Sequence, residues 1–155
     1  MDEAVARSLA KWPNVPAVYG WLELDRRGNW RIKGERIGNT ALREFISRNY
    51  DRDEQGRWFF QNGPQRVYVK LAYTPLVMHY EGGAVLDHCG RPVRVAQTWL
   101  DDEGSVLIVG DRGVGVLDDR DLERYVDAAE QLPRLKMAEI EAKFAFVSVP
   151  SPSLR

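Results

Sequence analysis

Two near-copies within the chain limit most strongly what it can fold into. Leu24-Asp25-Arg26-Arg27-Gly28 matches Leu100-Asp101-Asp102-Glu103-Gly104 at an offset of 76 (100 − 24), and Gly34-Glu35-Arg36 stays in register with Gly110-Asp111-Arg112. Four further residues move the offset to 80, where Leu42-Arg43-Glu44-Phe45-Ile46 aligns with Leu122-Glu123-Arg124-Tyr125-Val126. Each copy reads as a β-hairpin, a Gly-acid-Arg turn and an amphipathic helix. The competing explanation is that turn chemistry restricts residue choice, so unrelated hairpins converge on one sequence. The copies also differ. Trp30-Arg31-Ile32-Lys33 alternates apolar and cationic residues, which leaves one strand face for solvent or a ligand. Val106-Leu107-Ile108-Val109 is apolar throughout and predicts burial on both faces.

Around these copies the remaining elements follow from spacing and breakers. Ala4, Val5, Leu9 and Trp12 predict a short N-terminal helix closed by Pro13 and Pro16. Residues 18–24 and 30–33 form the first hairpin. Asn39 or Thr40 caps a helix whose face carries Leu42, Phe45, Ile46 and Asn49. Residues 51–56 read as one charged turn. Strands are expected at 58–60, 67–71, 76–80, 84–86, 93–99, 106–109 and 114–117, antiparallel where they follow one another. Asp118 or Asp119 caps a last helix through Leu122, Tyr125, Val126 and Ala129, ended by Pro133. Residues 135–142 look helical and 144–149 extended, and Pro150-Ser151-Pro152-Ser153 is expected to fray.

The fold class read from this pattern is α+β, antiparallel and β-rich, with two repeated hairpin-turn-helix motifs sharing one core. The expected organisation is an N-terminal helix and linker over 1–16, a first motif over 17–82, a second over 83–133 and a tail over 134–155, all in one globular unit. The composition suits it: 155 residues, 44% hydrophobic and 29% charged, enough to bury a core. The formal charge is −1, from 22 Lys+Arg against 23 Asp+Glu, and gives no global pull toward nucleic acid or an anionic membrane. A single cysteine, Cys89, excludes an intramolecular disulfide and a multi-cysteine metal site. No apolar run reaches the roughly 18–20 residues of a membrane helix. The start Met1-Asp2-Glu3 is acidic where a secretion signal is basic, so a cytoplasmic location is expected.

The run Gly28-Asn29-Trp30, Gly34, Ile37-Gly38, Leu42 and Phe45 resembles the bacterial domain-of-unknown-function family 1285. There a Gly-x-Trp strand leads to a Gly-x-x-Ile-Gly turn and a helix with a Leu-Phe pair. The likeness covers roughly residues 15–130, through 53–56, a run of strands, Val106-Leu107-Ile108-Val109 and the step Leu117-Asp118. The chain departs from it at Asn39, where a basic residue is expected, at Asn62-Gly63-Pro64, where Thr-Pro is expected, and in its tail. These departures are those of a sister family. The resemblance implies an α+β fold of two repeated motifs and a link to signalling or ligand sensing. It brings no catalytic residues.

The chemistry-bearing candidates are few. Arg26, Arg27, Arg31, Lys33 and Arg36 put five cations within a dozen residues, the pattern of an anion site or of an edge strand protected against aggregation. The expected ligand-binding residues are Trp30, Arg31, Lys33, Arg36 and Asn39, and the expected function is a regulatory module for a small anionic ligand or a protein partner. The alternatives are an enzyme of hydrolytic or metal-dependent type using His79, His88 or Cys89, and a weak binder of single-stranded nucleic acid. Against the first, adjacent residues on an extended strand point to opposite faces, so His88 is not placed to activate Cys89, although His79 can reach it across a sheet. Gly110-Asp111-Arg112-Gly113-Val114-Gly115 lacks the Gly-Lys-Ser/Thr ending of a phosphate loop and reads as a turn. The five tryptophans, Trp12, Trp21, Trp30, Trp58 and Trp99, read mostly as core or rim residues. No cofactor and no metal are expected. A homodimer through 144–149 is a further expectation.

Overall fold

A computed structural model of the chain describes residues 3–125 and 129–152. They form two compact units, one made of Met1–Asp25, Asn29–Ala72 and Val147–Arg155, the other of Arg26–Gly28 and Tyr73–Phe146. Each unit is built on one six-stranded mixed sheet with short helices, so the protein is α+β and β-rich.

In the first unit, α1 (Glu3–Leu9) precedes β1 (Ala17–Leu24), β2 (Trp30–Ile32), β3 (Glu35–Arg36), α2 (Thr40–Arg48), β4 (Tyr50–Arg52), β5 (Trp58–Asn62) and β6 (Gln65–Leu71). The sheet order is β3-β2-β1-β6-β5-β4. Val18, Leu22 and Leu24 alternate with less buried neighbours along β1, and Val67, Val69 and Leu71 do the same on β6 beside it. Leu42 and Ile46 of α2 are buried with them, one helical turn apart. Aromatic rings fill the rest: Trp30 and Trp58 both meet Tyr50 at centroid distances of 4.9 Å, and Phe60 takes Trp12 at 5.8 Å and Phe45 at 5.6 Å edge-on.

In the second unit, β7 (Leu76–Glu81), β8 (Ala84–Asp87), β9 (Gln97–Asp101), β10 (Val106–Gly110), β11 (Gly113–Leu117) and β12 (Arg134–Leu135) lie in the order β12-β9-β10-β11-β7-β8. Val106, Leu107 and Ile108 are buried in succession, as an all-apolar strand requires. A 3₁₀ helix spans Asp119–Tyr125, and α3 (Ile140–Phe144) buries Ile140. Buried Thr74 is satisfied at both ends: its hydroxyl donates to the Leu76 carbonyl at 2.6 Å and accepts the Val116 N–H at 2.8 Å.

The sequence copies resolve into a turn that occurs four times. Asp25, Asp53, Asp87 and Asp101 each begin an Asp-x-x-Gly-x turn, with Gly28, Gly56, Gly90 and Gly104 at φ between 79° and 86°. In every case the Asp backbone N–H donates to the carbonyl four residues on, at 2.9–3.0 Å. The return N–H of that fourth residue donates to the Asp Oδ1, from Asn29, Arg57, Arg91 and Ser105 at 2.9, 3.0, 3.1 and 2.8 Å. The aspartate thus closes the turn and the glycine supplies the left-handed residue. The wider topology is not copied. The parallel neighbour joins β1, the first strand of its three-stranded meander, in one unit, and β11, the third strand, in the other.

Several expectations change. The sheets are mixed, because β1 pairs with β6 and β7 with β11 in parallel; apolar alternation is the same for either direction and does not report a neighbour's sense. Residues 51 and 52 of the expected charged turn belong to strand β4, paired through Asp51↔Phe59 and Arg52↔Trp58. The expected strand over 93–99 begins only at Gln97. The expected α-helix after Leu117 is a 3₁₀ helix over Asp119–Tyr125, and 126–128 lie outside the described residues. Its first turn is tied elsewhere: the Asp118 carboxylate accepts the Arg120 N–H, and Asp121 accepts the Tyr80 N–H at 3.2 Å. The tail is anchored over its described part. Pro150 is buried and the Ser151 carbonyl accepts from Arg57 at 3.2 Å. The expected extended segment 144–149 is broken: Phe144 ends α3, Ala145 caps it at φ 53°, Phe146 is buried, and Val147 donates its N–H to the Gly56 carbonyl.

Candidate ligand-binding surface on the first sheet

The edge of the first sheet is made by a two-residue turn. Ile32 pairs with Glu35, and between them Lys33 and Gly34 both have positive φ, 50° and 84°. That is the pattern of a type I′ hairpin turn, where Asn or Gly stands at the first position in preference to lysine. The turn sets a register in which Arg31 is directly opposite Arg36. Like charges so placed repel. Asp25 offsets one of them: Arg31 Nε donates to Asp25 Oδ2 at 2.8 Å, and its Nη1 to the Gly34 carbonyl at 3.0 Å. Arg36 has a neutral partner, its Nε donating to Asn29 Oδ1 at 3.0 Å, while Asn29 Nδ2 donates to Asp25 Oδ2 at 3.1 Å. Asp25, Asn29, Arg31 and Arg36 therefore form one network with two guanidinium groups and one carboxylate.

The other expected site residues hold this surface in place. Trp30 is 2% exposed, and its indole N–H donates to Ser47 Oγ at 3.0 Å. Asn39 is the N-cap of α2, its Oδ1 accepting the Leu42 N–H at 2.9 Å. The first turn of α2 carries no acidic residue, so the positive end of that helix is not offset locally. Lys33 is exposed, with its ammonium 4.4 Å from the Trp21 ring centroid. Arg26 and Arg27 belong to the second unit. Arg26 donates to Ser105 Oγ at 2.7 Å, and Arg27 pairs with Asp119 at 3.1 Å. Of the five cations, the structure brings Arg31, Lys33 and Arg36 together on the β2–β3 hairpin. Asn29 and Asp25 were missed by sequence reasoning, although the Asp-x-x-Gly-x pattern was there to point at them.

The cluster of His79, His88 and Cys89 is arranged differently from the expectation. His88 and Cys89 lie in the Asp87 turn, not on an extended strand, and so their side chains meet, Sγ to Nε2, at 3.7 Å. His88 Nδ1 accepts the Val77 N–H at 3.2 Å. A neutral ring in that position carries its proton on Nε2, facing the sulfur, and offers no lone pair there to take the thiol proton. His79 is paired in register with Leu86, and its Nδ1 stands 4.0 Å from Asp118 Oδ2. Burial pushes the Asp118 carboxyl up, but hydrogen bonds from the Arg120 guanidinium and N–H outweigh it and hold the group below the usual carboxylate range. Among the described residues no three His, Cys, Asp or Glu side chains are grouped to hold a metal. The glycine-rich run 110–115 is the tight connection of β10 to β11, with Gly110 paired to Gly113.

The first unit also has a mostly buried polar clasp and an open groove. Arg57, mostly buried, donates from Nε to Asp53 Oδ2 at 2.8 Å and from its η nitrogens to the Tyr19 and Tyr68 hydroxyls at 3.4 and 3.2 Å. Tyr19 and Tyr68 are stacked at 4.8 Å with their planes 8° apart. Burial raises the Asp53 carboxyl, and the hydrogen bonds from Arg57 and Gln55 bring it below its ordinary value. The groove, about 680 Å³, is lined by 9–10, 12–16 and 62–65. Its polar wall is already engaged, since Gln65 Nε2 donates to the Pro13 and Val15 carbonyls at 2.6 and 2.8 Å.

Comparison with known proteins agrees with the fold. The family DUF2944, described as "Protein of unknown function (DUF2946)", matches residues 1–151. Crystal structures of two DUF1285 family proteins are similar. The one from Silicibacter pomeroyi DSS-3 has a TM-score of 0.56 and 15% identity, over 82% of this chain and 85% of that one. The one from Shewanella baltica OS155 has a TM-score of 0.51 and 18% identity, over 68% of this chain and 90% of that one. At such identities the likeness is one of fold, which is what the run from Gly28 to Phe45 implied. No curated protein matches the chain.

Proposed function

The chain belongs to the DUF2944 family, and from that premise we propose that it is a binding protein with a regulatory role whose first sheet takes a small anionic ligand on the β2–β3 hairpin. The observation that carries this reading is the register Arg31↔Arg36 with a single carboxylate between the two guanidinium groups. Arg36 spends one nitrogen on a neutral amide, which leaves its paired η nitrogens for a carboxylate or phosphate, the geometry in which arginine binds such groups best. Lys33 adds a third cation from a backbone conformation that disfavours it. A local rule broken at one exposed residue is a reason to look for function there. Trp30 and Asn39 act as supports, one fixing the strand from below and the other ordering the helix that follows.

The test is thermal unfolding with inorganic phosphate and with citrate as probes, at low ionic strength. The wild-type midpoint rises with each probe, and the rise shrinks with added sodium chloride because the charges are exposed. Lys33→Glu with Arg36→Glu keeps the ligand-free midpoint and loses the rise. A rise that survives this double substitution overturns the reading. Binding of single-stranded DNA, but of neither small anion, also overturns it in favour of a nucleic-acid surface.

A further inference from the structure

The four Asp-x-x-Gly turns differ in one respect. Asp25, Asp53 and Asp87 each hold a guanidinium on Oδ2, from Arg31 and Arg57 at 2.8 Å and from Arg112 at 3.1 Å. Asp101 holds none. It is 2% exposed; its Oδ1 accepts the Glu103 and Ser105 N–H groups at 2.9 and 2.8 Å, and its Oδ2 accepts the Tyr73 hydroxyl at 2.8 Å. Among the described residues no ion pair reaches it. At Asp101 the Tyr73 hydroxyl stands on Oδ2 where the other three turns hold a guanidinium, so three hydrogen bonds, and no cation, meet the cost of burying this carboxylate.

A cavity lies beside this turn. Asp101 lines a space of about 400 Å³ together with Asp102, Arg134, Leu135, Lys136 and Glu139. The frame is fixed by the backbone: β12 runs parallel to β9 with Leu135 opposite Asp101, and the Met137 N–H donates to Asp102 Oδ1 at 2.8 Å. Arg134, Lys136 and Glu139 make neither an ion pair nor a hydrogen bond through their side chains among the described residues. Charges of both signs thus surround one cavity and stay apart.

We propose that this cavity binds a small zwitterion of α-amino-acid type. Its ammonium group is met by Asp102 and Glu139, beside the Asp101 turn, and its carboxylate is held by Arg134 and Lys136. A simple anion is repelled by the carboxylates of Asp102 and Glu139, and a simple cation meets Arg134 and Lys136. The volume lies within the ~300–1,000 Å³ of small-molecule sites. The site lies wholly in the second unit and is independent of the β2–β3 surface.

The experiment titrates the full chain with each of the twenty free amino acids by calorimetry. At least one binds, and its N-acetyl and amide derivatives, each lacking one charge, do not. Arg134→Ala with Lys136→Ala weakens the binding by about tenfold or more, roughly 1.4 kcal/mol or above; Glu139→Gln weakens it as well. Lys33→Glu with Arg36→Glu leaves it unchanged, which separates this site from the first. Failure of all twenty amino acids to bind overturns the proposal. So does binding that persists at full strength in the Arg134→Ala, Lys136→Ala protein, or an N-acetyl derivative that binds as well as its parent.

Discussion

Gly28 and Gly34 share a left-handed backbone, at φ 85° and 84°, yet a side chain meets very different surroundings at the two. A Cβ on Gly28 comes 2.7 Å from His88 Cβ, an atom next to the backbone that has little room to move, whereas a Cβ on Gly34 meets nothing within 4 Å. Gly34→Ala is therefore expected to cost about 1–2 kcal/mol, the backbone strain alone. Gly28→Ala costs that and a steric displacement besides. Urea midpoints of the two variants check the ordering, and equal losses contradict it. Lys33 offers a converse test. Lys33→Asn suits the first position of a type I′ turn and is expected to raise stability by a few tenths of a kcal/mol up to ~1, while it removes a cation and reduces the phosphate-induced rise in melting temperature. A variant more stable yet binding as well as the parent shows that Lys33 is not part of the anion site.

At the scale of elements, the ends of the helices explain much of what the sequence allowed to be read. The N-cap of α2 was legible as Asn39 or Thr40 because short polar side chains stood before a stripe of Leu42, Phe45 and Ile46, and it is the Asn39 side-chain Oδ1 that accepts the Leu42 N–H. Asn39→Ala is expected to cost about 1 kcal/mol, within a range of ~0.5–2, measured by chemical denaturation. The end of α3 was not visible, because Ala145 takes the left-handed cap position at φ 53°, where glycine is usual. Ala145→Gly should therefore stabilise the protein, by roughly 0.5–1 kcal/mol; a loss of stability contradicts the cap assignment. The 3₁₀ helix over Asp119–Tyr125 was misread for a related reason. Leu122, Tyr125 and Val126 have helical spacing, but spacing does not reveal that Asp118 and Asp121 are engaged by Arg120 and Tyr80 and shift the segment from the α ladder.

At the scale of the molecule, titration links these sites to stability. Asp53 and Asp118 have carboxyls held below their ordinary values when folded. Such groups contribute stability that is complete above the unfolded value, about 4, and is lost as pH falls through the lower folded value. The urea midpoint is therefore expected to fall on acidification below about pH 4–5, less steeply in Asp53→Asn and Asp118→Asn. Tyr73 acts at the other end. Burial, and then its hydrogen bond to Asp101, raises its phenol far above the ordinary value, so its contribution is whole below about pH 10 and disappears above it. Tyr73→Phe is expected to flatten the alkaline limb, and an unchanged limb contradicts the Tyr73–Asp101 link. The near-neutral total charge, −1, is a sum of unlike parts, with Lys and Arg in surplus in the first unit and Asp and Glu in the second. No described helix is long and apolar enough to cross a membrane. The sequence by itself determined the α+β class, most strand positions, a helix N-cap at Asn39 or Thr40 and the matching turns of Asp25–Gly28 and Asp101–Gly104, because alternation, capping and turn closure are set by residues within a few positions of one another. Only the tertiary structure decided the parallel pairs β1–β6 and β7–β11, the opposition of Arg31 and Arg36, the contact of His88 with Cys89 and the cavity beside Asp101. These depend on which distant segments become neighbours, and a free energy shared among distant segments leaves no local pattern to read.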